Sequence, residues 1–235
     1  RKIITMNPAR PVATHVAVRD GRVLGAGSYE ELKGWGEHRL DERFATLVLM
    51  PGMVEGHSHL SEGVLWRHAY CGYFDRMDPD GKTWTGARSI EEIVARLRDA
   101  EAGMADPQRP VAGWGLDPIY YGNRRVMRAD LDQVSTRRPV GVVHASGHIL
   151  NVNTRGLELA GLMRAGINHP GVVLGADGLP TGELKGPEAM SLAARHIGMD
   201  RGLLNSDEAG LRAFARLCVR TGVTTAADLG NMLEP

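Results

Sequence analysis

The run from Thr46 to His59, Thr-Leu-Val-Leu-Met-Pro-Gly-Met-Val-Glu-Gly-His-Ser-His, constrains this chain more than any other stretch. An apolar segment, Thr46 to Met50, leads into Pro51-Gly52, and a short apolar step then ends in two histidines spaced i, i+2. On an extended strand, residues two apart point to one face. The spacing therefore predicts a strand that ends in His57 and His59 with both imidazoles on the same side. Neutral imidazole is a common ligand for zinc-like ions, and two from one rigid element order much of a metal site at low entropic cost. A bare His-x-His would as readily be two loop histidines. The Pro-Gly turn, the apolar lead-in and the small residue between the histidines favour metal.

With 235 residues the chain can bury a real core, as one large domain or one domain plus a small one. Lys+Arg and Asp+Glu both number 28, which leaves no electrostatic footprint for nucleic acid or a membrane surface. The two cysteines, Cys71 and Cys218, lie far apart, so no disulfide framework is expected and a reducing cytoplasm is the default compartment. No apolar run approaches the ~18 residues of a membrane span.

The first fifty residues read as β-structure. Val16 and Val18 alternate with other residues up to Asp20, Asp20-Gly21 is a strong hairpin signal, and Val23 to Ala26 continues the pattern. A lone hairpin is marginal in water, so this segment needs further strands. Ser28, with Glu31 at the third helical position, predicts a capped helix start. Ser89 opens a second helix, whose Ile90, Ile93, Val94 and Leu97 follow the i, i+3, i+4, i+7 series. Between them, Cys71 to Arg88 reads as loop. A short strand at Val111-Ala112 precedes Gly113-Trp114-Gly115-Leu116-Asp117, and Val140 to His144 is an apolar run of the kind buried in a parallel sheet. His144 and His148 lie at its C-terminal end, followed by Asn151, Asn153 and a helix from Thr154 that Gly161 closes. Gly222 to Asp228 is again strand-like.

Pro51 to His59 resembles the first barrel strand of the amidohydrolase superfamily, whose Pro-Gly-apolar-apolar-acidic-x-His-x-His run carries two metal ligands. Glu55 stands in the acidic slot, where Asp is more usual. Two later blocks narrow the resemblance: Arg138 to Asn153, running on to Leu157-Glu158-Leu159-Ala160-Gly161-Leu162, and Asp177-Gly178-Leu179-Pro180-Thr181-Gly182-Glu183-Leu184-Lys185. Together they are similar to the branch of large amidohydrolases that includes N-substituted formamide deformylase. The resemblance spans nearly the whole chain, with its blocks in the family's order.

That resemblance implies an α/β fold with a (β/α)8 TIM-type barrel and a small β-sandwich. Residues 1–50 would be the N-terminal part of a composite sandwich, and residues 51–235 the first part of the barrel, with an excursion at about 70–140. It implies one or two divalent ions, zinc above all, held by His57 and His59. Two cations about 4 Å apart need a bridging anion. A carboxylated Lys185 is one candidate and Glu183 the other, and the two lie i, i+2 on one face of an extended segment. The family often has an acidic residue at the position of Gly186, where this chain departs. His148 takes a polar, catalytic role in orienting substrate or an oxyanion. His144 is read as a histidine hydrogen-bonded within the barrel. Trp114 and Asp117 fall in a Gly-Trp-x-x-Asp-like stretch that borders the substrate pocket, although a tryptophan between glycines is equally a packed anchor. Glu183 is placed in the same pocket.

The implied chemistry is metal-activated hydrolysis of a non-peptide carbon–nitrogen bond in a small-molecule amide, with an acidic residue shuttling the proton. Esters, lactones and organophosphates are alternatives at such a site, and so is a non-catalytic homologue that only binds ligand. A homodimer is the assembly entertained, with no nucleic-acid or membrane partner. The shuttling aspartate and two further histidines are expected beyond Pro235, since a barrel takes ~250 residues by itself. The chain also opens at Arg1 already inside an apolar pattern, so more chain is expected upstream. Asp228 comes too early to be the shuttle and is read as structural or pocket-lining.

Overall fold

The computed structural model describes residues 2–200 and 208–228. The chain divides into two compact units, residues 1–55 with 222–225, and residues 56–221 with 226–235.

In the first unit, β1 (Lys2–Ile4) pairs antiparallel with β2 (Val12–Ala13) and parallel with β5 (Val48–Leu49). β3 (His15–Arg19) and β4 (Arg22–Gly27) form the expected hairpin. Its turn has positive φ at both Asp20 (50°) and Gly21 (72°), the left-handed pair that matches strand twist. Helix α1 (Tyr29–Leu32) carries a full capping box. The Ser28 hydroxyl accepts from the Glu31 N–H, and the Glu31 carboxylate accepts from the Ser28 N–H. The two small sheets meet at Thr14, whose N–H donates to the Gly27 carbonyl. Ile3, Val16, Leu24, Trp35, Phe44 and Leu49 are among the residues that line a cavity of about 770 Å³ in this unit.

The second unit is a three-layer α/β structure. Its six-stranded mixed sheet has the order β13 (Val172–Leu174), β14 (Pro180–Lys185), β12 (Ile149–Val152), β11 (Val140–His144), β10 (Val111–Leu116), β7 (Ala69–Tyr70). β7, β10 and β11 run parallel, whereas β11, β12, β14 and β13 alternate in direction. On one face, α3 (Ile90–Ala102) and α4 (Arg128–Asp132) bury Ile93, Leu97 and Leu131 against Val111, Val140 and Val142. On the other, α5 (Thr154–Leu159) and α6 (Gly186–Ala194) pack Leu157, Ala189 and Ala193 against Leu150, Val152 and Leu184. α3 starts where its sequence predicts. Ser89 caps the Glu92 N–H, and Glu92 accepts from the Arg88 N–H. Two two-residue strands, β8 (Arg76–Met77) and β9 (Thr83–Trp84), form a small hairpin within the predicted loop.

β10 is longer than the two residues expected. It runs through Trp114 to Leu116, with a register shift at Gly115 that turns Leu116 back onto the α3 face. Val140–His144 is buried save for the half-buried Val143, but its second neighbour, β12, is antiparallel, so it is a strand of this mixed sheet and not of a barrel wall. The sheet extends from Ala69 to Lys185, well past the excursion expected at about 70–140.

The remaining strands are β6 (Met53–Ser58) and β15 (Val223–Asp228), which pair with each other. They run in the same direction, because the Met53 N–H meets the Gly222 carbonyl at their starts while Ser58 lies against Ala227 at their ends. A parallel pair whose connection is helical is the unit of a (β/α) barrel, yet among the described residues no closed barrel forms. Between the two strands lie α2 (Glu62–Leu65), the whole inserted sheet and α7 (Glu208–Thr221). α2 and α7 cross at closely apposed glycines. A Cβ on Gly63 would lie 2.0 Å from the Gly210 carbonyl oxygen.

Candidate metal centre

His57 is the next-to-last residue of β6, and His59 follows its end directly. Their ring centroids are 5.2 Å apart and the rings stand edge to face, so the two imidazoles share one side of the chain as the i, i+2 spacing requires. Both residues are exposed. Asp228, the last residue of β15, lies beside them. Its Oδ2 accepts the Leu60 N–H at 2.8 Å, and its Oδ1 is 3.6 Å from His59 Nδ1. The Asp228 side chain is only 9% exposed, so the carboxylate forms a buried wall next to an exposed imidazole. By accepting from Leu60 it ties down the turn that carries His59. The Ser58 hydroxyl adds a second tie, donating to the Ala227 carbonyl at 3.0 Å.

Two imidazoles and a carboxylate are a donor set that suits zinc and its neighbours. Among the described residues no three His, Cys, Asp or Glu side chains converge closely enough to hold an ion as they stand. The residues thus fit a divalent ion by the chemistry of the donor set and by the side-by-side histidines.

Glu183 and Lys185 belong to the six-stranded sheet and His148 to a turn of it, while β6 and β15 form a sheet of their own. Glu183 on β14 is buried, with its side chain 4% exposed. Lys185 Nζ lies 3.2 Å from its Oε1, and Arg125 Nε 3.5 Å from its Oε2. Glu183 is the sole ion-pair partner of Lys185 among the described residues. The lysine expected to bridge two ions thus lies beside the other bridging candidate, Glu183. Gly186 follows with φ 78°, a left-handed conformation that an acidic side chain rarely adopts, so the departure from the family pattern at this position goes with the backbone. His148 sits in the turn between β11 and β12. Its carbonyl accepts the Gly186 N–H at 2.8 Å, while the residue itself is exposed.

His144 is buried, and its Nε2 lies 2.6 Å from Asn151 Oδ1. Asn151 Nδ2 donates to the Val126 carbonyl, so Oδ1 must be the acceptor and His144 Nε2 the donor. Burial lowers the His144 pKa and keeps the ring neutral, partly offset by the Asn151 bond and the Glu183 charge. Trp114 is packed in the core. Its ring meets Trp66 and Tyr70 at centroid distances of 5.0 and 5.1 Å, and the Arg76 guanidinium lies 5.3 Å from its centroid. Asp117 caps a short 3-10 turn, accepting the Ile119 N–H. Cys71 is fully buried and its thiol is pushed up to about 12, which removes it as a nucleophile or ligand.

Three residues stood outside the sequence-based candidate list. Asp228 was read as structural or pocket-lining, and a strand ending in Asp, paired with the His-x-His strand, is a legible signal once the pairing is known. Arg125 carries no motif. Asn153 is wholly buried and joins β11, α5 and the loop before β11, a role that sequence does not distinguish from a surface Asn.

Residues 46–234 match the profile of the amidohydrolase family. The chain belongs to that family. This amidohydrolase chain is 27% identical over 234 residues to Protein LONG AFTER FAR-RED 3 of Arabidopsis thaliana, covering 97% of the chain and 37% of that protein. It is 29% identical over 179 residues to the Bacillus subtilis protein named "Putative amidohydrolase YtcJ", covering 72% of the chain and 30% of the relative. It therefore spans about a third of the length of these curated relatives. Among solved structures, an uncharacterized metal-dependent hydrolase from Pyrococcus horikoshii shares its fold. The TM-score is 0.50 at 21% identity, over 96% of this chain and 41% of that one.

Proposed function

We propose that this amidohydrolase chain is part of a metal-dependent hydrolase that cleaves a non-peptide carbon–nitrogen bond in a small-molecule amide, of the N-substituted formamide deformylase kind. The observation that carries the reading is the pair of imidazoles side by side at the end of β6, with the Asp228 carboxylate next to them. Membership of the family supports it, and the full protein would carry the (β/α)8 barrel to which the β6–β15 pair is the natural start.

His57 and His59 would hold a divalent ion, zinc first, and Asp228 is placed to join them or to orient His59. The bound ion would supply Lewis-acid activation of water and of the substrate carbonyl. The chain's own contribution is positional. The Asp228–Leu60 and Ser58–Ala227 bonds fix the turn after β6, so that both rings meet a ligand without a search over loop conformations. The test is metal content by elemental analysis, followed by assays against N-formyl, N-acyl and cyclic amides. Ester, lactone and phosphotriester substrates serve as the comparison arm. Stoichiometric metal with amide turnover supports the reading. Metal bound without turnover of any of them would favour the ligand-binding alternative.

A further inference from the structure

The inserted sheet carries a second cluster of charge, separate in the fold from the histidine pair. Three arginines lie between positions 124 and 128, and two of them are clamped. Arg124 pairs with Glu91 and Asp130, and Arg128 pairs with Asp177 and bonds the Pro180 carbonyl. Arg125 differs. Among the described residues its one ion-pair partner is Glu183, reached through Nε at 3.5 Å, longer than a hydrogen bond, and none of them bonds its two terminal nitrogens.

Lys185 approaches the same carboxylate from β14 at 3.2 Å. The two cations are 37% and 46% exposed, over a Glu183 side chain that is 4% exposed. One buried carboxylate thus holds two cations at the surface without satisfying either fully, and Glu183 Oε2 makes no hydrogen bond. His144 on β11, beyond β12 in the sheet, is kept neutral by burial and adds no charge. Of the acidic groups on the same elements, Asp117 accepts the Ile119 N–H, Asp130 pairs with Arg124 and Asp177 with Arg128, while Glu188 stands exposed in the first turn of α6. α6 starts at Gly186, one residue past Lys185, so the positive end of its dipole adds to the same field.

We propose that Arg125 and Lys185 form a binding site for an anionic group, a carboxylate or a phosphate, with Glu183 as the buried anchor that holds both cations in place. The free guanidinium fork is the element that recognises a planar or tetrahedral oxyanion in two-point fashion, and the lysine supplies a point charge beside it. The site stands independently of the metal centre and of any turnover.

The test is a titration of the whole chain with inorganic phosphate and, separately, with acetate at constant ionic strength, read by thermal shift and by calorimetry. We expect saturable binding of at least one probe, and the probe that saturates identifies the group. Arg125→Gln should weaken that binding about tenfold or more, as loss of a charge-assisted bond does. Arg124→Gln, which touches a clamped arginine, should leave it unchanged. If Arg125→Gln fails to fold, Lys185→Gln takes its place, with a weakening in the same direction. No saturable binding to the unaltered chain overturns the proposal, and so does an affinity that is the same in both cluster variants.

Discussion

Asn153 uses its whole side chain. Its Oδ1 accepts from the Val140 and Gly156 N–H groups at 3.0 and 2.9 Å, and its Nδ2 donates to the Ser135 and Arg138 carbonyls at 2.7 and 2.9 Å. Replacing it with alanine leaves buried backbone groups without partners, each costing about 1–3 kcal/mol. We expect Asn153→Ala to lower stability by roughly 3 kcal/mol or more in urea denaturation; a loss below ~1 kcal/mol would show that water replaces the amide. His68 offers a pH test. Burial, with the charges of Arg109 and Arg67, lowers its pKa from 6.5 to about 4. The folded state then binds the proton less readily than the unfolded chain, so stability is full above pH 6.5 and falls as pH drops toward about 4. The loss amounts to about 3 kcal/mol, and His144 shifts in the same direction. His68→Gln should flatten that slope in stability measured across the window. The same scale explains what sequence could say about the site. His57 and His59 were legible because an i, i+2 spacing is a geometric statement in itself. Asp228 and Arg125 were not, since their meaning comes from strands paired across more than fifty residues.

Elements were read well wherever the chain's own period or cap defined them. The hairpin at Asp20-Gly21, the Ser28 capping box and the α3 stripe all follow from local rules. Strand partners were harder. Val140 to Val143 is apolar because both faces of β11 are covered, and that pattern is the same in a mixed sheet as in a barrel wall. The α2–α7 crossing shows a contact no period announces. The Cβ of an alanine at Gly63 would fall 2.0 Å from the Gly210 carbonyl and 2.6 Å from the Phe214 nitrogen. We expect Gly63→Ala to cost about 2 kcal/mol through forced separation of the helices. Because α2 begins three residues after His59, the variant should also weaken metal binding at the pair. Unchanged stability with unchanged zinc affinity would show that the crossing neither constrains the helices nor positions the turn.

At the scale of the molecule, apolar surface decides behaviour in solution. Leu47, Val48, Met50, Met53 and Val54 are all about half exposed or more, with Val54 at 73%. They form a nearly continuous run through β5 and β6, and a strand with an apolar, uncovered face invites pairing with another chain. The Asp20-Gly21 hairpin, the Ser28 cap and the His-x-His strand were legible from sequence, but this exposure was not, because hydropathy alone marks such a run as core. We expect the chain to self-associate at micromolar concentration, and a homodimer is the assembly we propose, with light scattering during size exclusion as the measurement. Val54→Thr keeps a β-branched side chain and its strand propensity while reducing apolar surface. It should raise the monomer fraction with a change in stability of less than about 0.5 kcal/mol, as for most exposed sites. A chain that elutes with the mass of one subunit across the concentration range would show that these residues are tolerated as free surface, and would remove the dimer.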